Sequence, residues 1–187
     1  MSDARDPRDE LAEHLPALRA FAISLTRNPS SADDLVQETV VKAWTNIDKF
    51  EAGTNLRAWL FTILRNTFYS ERRKRKREVP DSDGHFSRNL SEKPAHDVRL
   101  AMGDFLTAFD ALSPEHREVL VLVGAEGFTY EEAAVTMGVA IGTVKSRAFR
   151  ARARLAELLG LAAGENVLAD VDGTTLAVVA RGSAQAA

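Results

Sequence analysis

Between positions 145 and 150 the chain places Lys145, Ser146, Arg147, Phe149 and Arg150. These are side-chain types that read DNA. A guanidinium can pair bidentately with guanine, a serine hydroxyl can reach a base edge or a phosphate, and a phenyl ring can meet a thymine methyl. Thr143, just upstream, is placed to meet a phosphate near a helix N-terminus. Five Lys/Arg fall between 145 and 154 with no acid among them. On a helix, Arg150 and Arg154 form a like-charge i,i+4 pair, unfavourable by roughly 0.2–0.5 kcal/mol. Such a block calls for an anion; the plainer reading is a solvated basic face.

Two further groups carry chemistry of the same kind. Arg57, Arg65, Asn66, Tyr69, Arg72 and Arg73 share the polar side of one helical stretch, which ends in six consecutive basic residues, Arg72–Arg77. Aromatic rings interleaved with basic groups suit single-stranded DNA, whose bases stack on rings. The alternative for the basic run is a solvated helix end favoured by the macrodipole. For Trp59, Phe61 and Phe68 the alternative is core packing, and Phe50 is open between packing and a pocket wall. The third group is acidic: Asp33, Asp34, Gln37 and Glu38. A helix first turn would explain the two aspartates through the dipole. Glu38, four residues after Asp34, adds a like-charge pair, and a basic protein surface would be a natural partner. Enzyme chemistry has no foothold. There is no cysteine, the four histidines (14, 85, 96 and 116) show no ligand spacing, and no nucleophile–base pair is visible.

The elements that must position these groups are helical almost throughout. Leu11, Leu15, Leu18, Ala22 and Leu25 recur at helical spacing and predict a helix ending near Arg27. Asn28-Pro29-Ser30 breaks it, and Ser31 followed by Asp34 reads as the next helix start, with acid in its first turn. Val36, Val40, Ala43, Trp44 and Ile47 then predict the buried stripe of a second helix. Leu56, Trp59, Leu60, Ile63, Leu64 and Phe68 predict that of a third. Helical spacing resumes at Val98, with Phe105, Phe109 and Leu112. Ser113-Pro114-Glu115 starts another helix, which Gly127 stops. Thr129-Tyr130-Glu131-Glu132 reads as a capping box. Ala134, Gly138 and Val144 supply the small crossing residue, the turn residue and the apolar anchor of a helix-turn-helix. The last helix runs from about Gly142 to Leu159. With Val144, Ala148, Ala151 and Leu155 inward, Ser146, Phe149, Arg150 and Ala153 point outward, flanked by Lys145 and Arg147.

The 187 residues carry a net charge of −3, so basic stripes and not the total form any footprint on phosphate. Residues 78–97 hold Pro80, Gly84, Pro94, three Ser and five acids without periodicity, and read as a linker that lets two domains reorient. The tail holds VLADVDGTTLAVVA, either a small hairpin or, since an isolated hairpin is marginal in water, a mobile segment. No apolar run approaches the roughly 18–20 residues that span a bilayer. MSDARDPRDE lacks the apolar stretch of a signal peptide, so a cytoplasmic location is expected.

DDLVQETVVKAW (33–44), NLRAWLFTILRNTFYSERRKRKR (55–77), LSPEHREVLVL (112–122) and FTYEEAAVTMGVAIGTVKSRAFRARARL (128–155) together resemble an extracytoplasmic-function sigma factor of bacterial RNA polymerase. The resemblance covers roughly 9–160. It implies an all-α protein of two small helical domains without catalytic activity or cofactor. A sigma region 2-like domain would span 9–77, a flexible linker 78–97, a region 4-like helix-turn-helix 98–160 and a tail 161–187. It places Asp33, Asp34, Gln37 and Glu38 where the family docks on the β′ coiled coil of core RNA polymerase, whose β flap is a further contact. Phe50 and Asn66 fall at positions lining a pocket for a flipped non-template base; with Asn55, Arg65, Tyr69, Arg72 and Arg73 they would form the −10 set. Thr143, Lys145, Ser146, Arg147, Phe149 and Arg150 would read the −35 element. NPSSADDLVQETVVKAW and FEAGTNLRAWLFTILRNTFYSERR are similar to the general-stress-response subgroup, which implies sequestration by an anti-sigma protein. A sigma-like decoy that binds an anti-sigma protein without binding DNA is the competing expectation. It need not keep a basic recognition helix, which this chain has.

Overall fold

The computed structural model describes residues 6–78 and 97–161. The expected hairpin or mobile tail, and all but the end residues of the expected linker, lie outside them. The described residues form seven α-helices: α1 (Pro7–Thr26), α2 (Pro29–Thr45), α3 (Leu56–Glu78), α4 (Asp97–Asp110), α5 (Pro114–Leu120), α6 (Tyr130–Met137) and α7 (Ile141–Leu158). A 3-10 turn, Ile47–Lys49, follows α2, and a π-type turn, Val121–Ala125, continues α5. This arrangement agrees with the all-α expectation.

Helix ends are set by local chemistry. Asp6 caps α1 by accepting from the Arg8 amide at 2.9 Å, and Arg27 closes it at φ 58°. α2 begins at Pro29, not near Ser31. The Asn28 side-chain oxygen accepts from the Ser31 amide at 2.9 Å, and Pro29 occupies the first helical position, where its fixed φ and missing N–H cost nothing. Asp33 and Asp34 therefore lie beyond the first turn, and the helix dipole does not explain them. Asp33 instead takes the Arg19 guanidinium of α1 at 2.6 Å.

The stripe on α2 is rotated from the expected one. Ala32, Leu35, Thr39 and Ala43 are buried, whereas Trp44 is 55% exposed, and Leu15 of α1 is also at the surface. Small side chains and a threonine that returns its hydroxyl hydrogen to the Leu35 carbonyl form the face turned to the core. The Arg8 guanidinium covers the Trp44 ring instead, 5.5 Å from its centroid. α3 buries Leu56, Leu60, Phe61 and Leu64, and leaves Trp59, Ile63 and Phe68 half-buried against them.

In the second half, the capping box forms as expected. Thr129 Oγ1 accepts from the Glu132 amide at 3.1 Å, and Glu132 Oε2 accepts from the Thr129 amide at 2.9 Å. Gly138 turns the chain at φ 63°, a left-handed conformation that favours glycine. Ala133 is the fully buried small residue of α6; Ala134, the expected one, is half-buried beside it. Thr129→Ala is expected to cost about 0.5–2 kcal/mol through loss of the cap, measurable as a lower urea midpoint at unchanged slope.

One core runs through both halves. Phe61 stacks on Phe21 of α1 at 5.0 Å between ring centroids, and meets Phe128, from the loop before α6, at 5.2 Å. α1 packs on α5 and α3 packs on α6. The two halves are closed on one another.

Candidate nucleic-acid interface

α7 has the two faces expected of it. Val144, Ala148, Ala151 and Leu155 are buried, and Lys145, Ser146, Phe149, Arg150 and Ala153 are exposed, with Arg147 and Thr143 half-buried at the margin. Phe149 is 74% exposed, an apolar ring held in water beside cations. Ser146 donates to the Thr143 carbonyl at 3.0 Å, and Arg150 Nε donates to the Ser146 carbonyl at 3.3 Å, which keeps these side chains along the helix. Lys145 lies over the Tyr130 ring at 5.9 Å, and Arg152 donates to the Tyr130 hydroxyl at 3.3 Å. The expected repulsion within the block is relieved at one end, where Arg154 pairs with Glu157 at 2.6 Å. Burial, then the Arg150 and Arg147 guanidinia, hold His116 below its ordinary pKa. This favours the neutral imidazole beside α7.

The polar side of α3 divides. Asn66, Arg72 and Arg73 are exposed. Arg57, Arg65 and Tyr69 turn toward the second half. Arg65 Nε donates to Glu118 Oε1, and the Tyr69 hydroxyl donates to Glu118 Oε2 at 2.9 Å. Arg57 donates to the Glu126 carbonyl at 2.8 Å and pairs with the Glu126 carboxylate. Asn55 accepts from the Ala58 amide at 3.0 Å at the start of α3, and donates to Glu132 Oε1 at 3.1 Å. Phe50 is half-buried and packs on Trp59 at 5.4 Å, so the two rings form a ledge beside the Gly53 loop. Burial raises the Glu118 pKa, against Arg65 and Tyr69, which lower it. Burial, then Glu118, raises that of Tyr69, so the phenol keeps its proton and acts as donor.

The acidic group is only partly free. Asp33 is tied to Arg19, whose hydrogen bond lowers its pKa. Asp34 and Gln37 are exposed. Glu38 pairs with Lys42 at 2.6 Å. The hydrogen bond from Lys42, then that from Glu71, lowers the Glu38 pKa, while burial and then Glu38 raise that of Glu71. Val41 and Trp44, 58% and 55% exposed, add an apolar strip to the same helix.

Three residues were missed in the sequence. Arg117 and Glu118 are charged yet buried, and the clue was their place at the head of the apolar run VLVLV. Trp44 falls at helical spacing with Val40 and Ile47, which predicts burial, yet it lies at the surface. Among the described residues no group of His, Cys, Asp and Glu could hold a metal, and no helix is long and apolar enough to cross a membrane.

The chain matches two family models, sigma-70 region 2 over residues 11–78 and sigma-70 region 4 over residues 102–155. It is 53% identical over 152 residues to the ECF RNA polymerase sigma factor EcfG of Rhodopseudomonas palustris, covering 81% of this chain and 84% of that protein. It is 35% identical over 142 residues to the ECF RNA polymerase sigma factor SigM of Bacillus subtilis, covering 74% and 85%. Among solved structures it resembles the sigma factor RpoE of Bartonella quintana in complex with the anti-sigma factor NepR. The TM-score is 0.70 at 55% identity, with 83% of this chain and 97% of that chain covered.

Proposed function

This chain belongs to the extracytoplasmic-function sigma factors of bacterial RNA polymerase, and from that premise we propose how it divides the work of promoter selection. One observation supports the reading most. α7 buries one apolar stripe and holds Lys145, Ser146, Phe149 and Arg150 outward, behind a capped α6 and a left-handed Gly138. That is the form a recognition helix needs to enter the major groove. With Thr143 and Arg147 at its margin, this face reads the −35 element. Region 2, over about 9–77, docks on the β′ coiled coil through Asp34, Gln37 and Glu38, with Asp33 held beside them by Arg19. It meets the opened −10 strand with Phe50, Asn66, Arg72 and Arg73 and, once the halves part, with Asn55, Arg65 and Tyr69. Region 4, over about 98–160, also contacts the β flap. The protein works in the cytoplasm with the polymerase.

RpoE of Bartonella quintana forms a complex with the anti-sigma factor NepR, and the likeness to it supports a small anti-sigma protein as a partner here, with a stress regulon as the output. Arg150→Ala is expected to weaken −35 binding by about 1–3 kcal/mol and to relax base preference at one position. Gel-shift titration against −35 variants with holoenzyme checks this. An equal loss on every sequence would make Arg150 a phosphate contact and remove it from base reading.

A further inference from the structure

We propose that region 4 carries an internal mimic of the DNA strand, in which Glu126, Phe128 and Glu118 occupy the face of α3 that would otherwise bind single-stranded promoter DNA. The inference rests on the reading that α3 meets the −10 strand.

Arg57, Phe61, Arg65 and Tyr69 stand four residues apart, on one ridge of α3. At 1.5 Å per residue that ridge is about 18 Å long. Each member has a partner from the second half of the chain. Arg57 takes Glu126, Phe61 takes the Phe128 ring, and Arg65 and Tyr69 together take Glu118. Beyond the ridge, Glu132 takes Asn55 at the start of α3. The sequence along the helix is charge, ring, charge. A nucleic-acid strand offers the same alternation of anionic oxygens and flat apolar faces.

Glu118 copies a phosphate most closely. It presents two oxygens and one negative charge, one oxygen bound by a guanidinium and the other by a phenol. Two non-bridging phosphate oxygens would satisfy the same donor pair. Glu118 is fully buried, and the Glu126 side chain is 9% exposed, so neither carboxylate can serve its partner while DNA occupies the ridge. Binding is exclusive.

The energetics suit a device that must let go. An intact buried ion pair gains little over an apolar contact, because the desolvation of both charges offsets their attraction, but neutralising one member leaves the other buried and unpaired and so favours opening. The apolar contacts and the Arg117 hydrogen bonds to α1 hold the halves together, and the acids decide what the ridge of α3 faces. Asn66, Arg72 and Arg73 stay exposed and can meet a strand before the ridge opens. A ligand that binds only the open fraction has an apparent affinity lowered by that fraction.

The test uses the full chain with Glu118→Gln and Glu126→Gln together, which keeps size and removes charge. Its probe is a fluorescent non-template oligonucleotide carrying the −10 element of a promoter this chain transcribes. Anisotropy titration at fixed salt is expected to give binding at least about tenfold tighter than the parent. Equal or weaker binding by a folded double variant overturns the proposal.

Should the carboxamide pair fail to fold, a second variant decides. The chain has no cysteine, so Thr54→Cys with Glu131→Cys, exposed neighbours of the Asn55–Glu132 contact, can be bridged by a bis-maleimide. Bridged protein is expected to lose at least about tenfold in oligonucleotide affinity against the same unbridged variant; equal affinity overturns the proposal. Arg65→Ala in run-off transcription separates the two layers. Unchanged −10 dependence there refutes the reading of α3 itself, whereas loss of −10 dependence combined with an indifferent carboxamide pair refutes the mimic alone.

Discussion

Asp34→Lys combined with Glu38→Lys is expected to abolish co-purification with core RNA polymerase while leaving helical content unchanged. Asp34 is exposed, and the Glu38 side chain is 42% exposed with Lys42 as its partner. Neither fills the core, and the stripe that packs α2 is Ala32, Leu35, Thr39 and Ala43. The double change moves the patch by four charge units against a basic partner surface, where like charges facing one another cost several kcal/mol. The Glu38→Lys change also replaces the ion pair with Lys42 by a like-charge pair, a repulsion of roughly a few tenths of a kcal/mol. Asp33→Ala is a useful contrast. Its main contact is the intramolecular one to Arg19, so it should weaken docking far less. Circular dichroism and affinity capture on tagged core polymerase measure both effects. Retention of the charge-reversed chain on the polymerase would remove docking from this face of α2.

Arg117→Ala is expected to lose about 3–5 kcal/mol of stability, because several buried carbonyls lose a hydrogen bond to a charged group, each worth roughly 1–3 kcal/mol. Arg117 is 3% exposed. Its guanidinium donates to the Ser24 carbonyl at 2.5 Å and the Leu25 carbonyl at 3.3 Å, and also to the carbonyls of Asp110 (3.3 Å) and Leu112. Ser24 and Leu25 belong to the last turn of α1, and Asp110 ends α4. One side chain thus serves orphan carbonyls of two helices, at ends where the dipole favours a cation. Burial, then Arg27, brings its pKa down to about 10, so it is charged at neutral pH. Arg117→Lys keeps the charge but not the planar fork that reaches several carbonyls, and should fall between parent and alanine. Urea denaturation measures the series. A loss below about 1 kcal/mol for alanine, the size of one ordinary hydrogen bond, would show that Arg117 does not tie the halves together.

Much of this was readable from spacing. The outward face of α7 follows from its period, because Val144, Ala148, Ala151 and Leu155 leave a single outward solution for Ser146, Phe149 and Arg150. The capping box and the Gly138 turn are local chemistry, and both stand where the residues put them. The face of α2 was misread because burial there follows size as well as polarity. Ala32 and Thr39 allow close packing, while Trp44 stays largely exposed, with the Arg8 guanidinium over one face of its ring. The helix starts at Pro29 because Asn28, whose type next to proline reads as a breaker, is its cap.

What spacing could not supply was the contact between halves. Arg65 and Glu118 are 53 residues apart, and nothing local in either segment announces the other. A glutamate at the head of an apolar run was the available hint, since an acid drawn into a core is rarely left without a partner. It did not say which arginine would answer.

One chain that selects promoters through two separated readers must leave both marks on what it transcribes. Run-off transcription with core polymerase, this chain and a library randomised at both promoter elements measures this most directly. Transcripts are expected to be enriched for one −35 and one −10 motif at a fixed spacing, and Arg150→Ala is expected to relax only the −35 motif. Transcription independent of this chain, or enrichment of a −35 motif alone with no −10 preference, would contradict the two-reader mechanism.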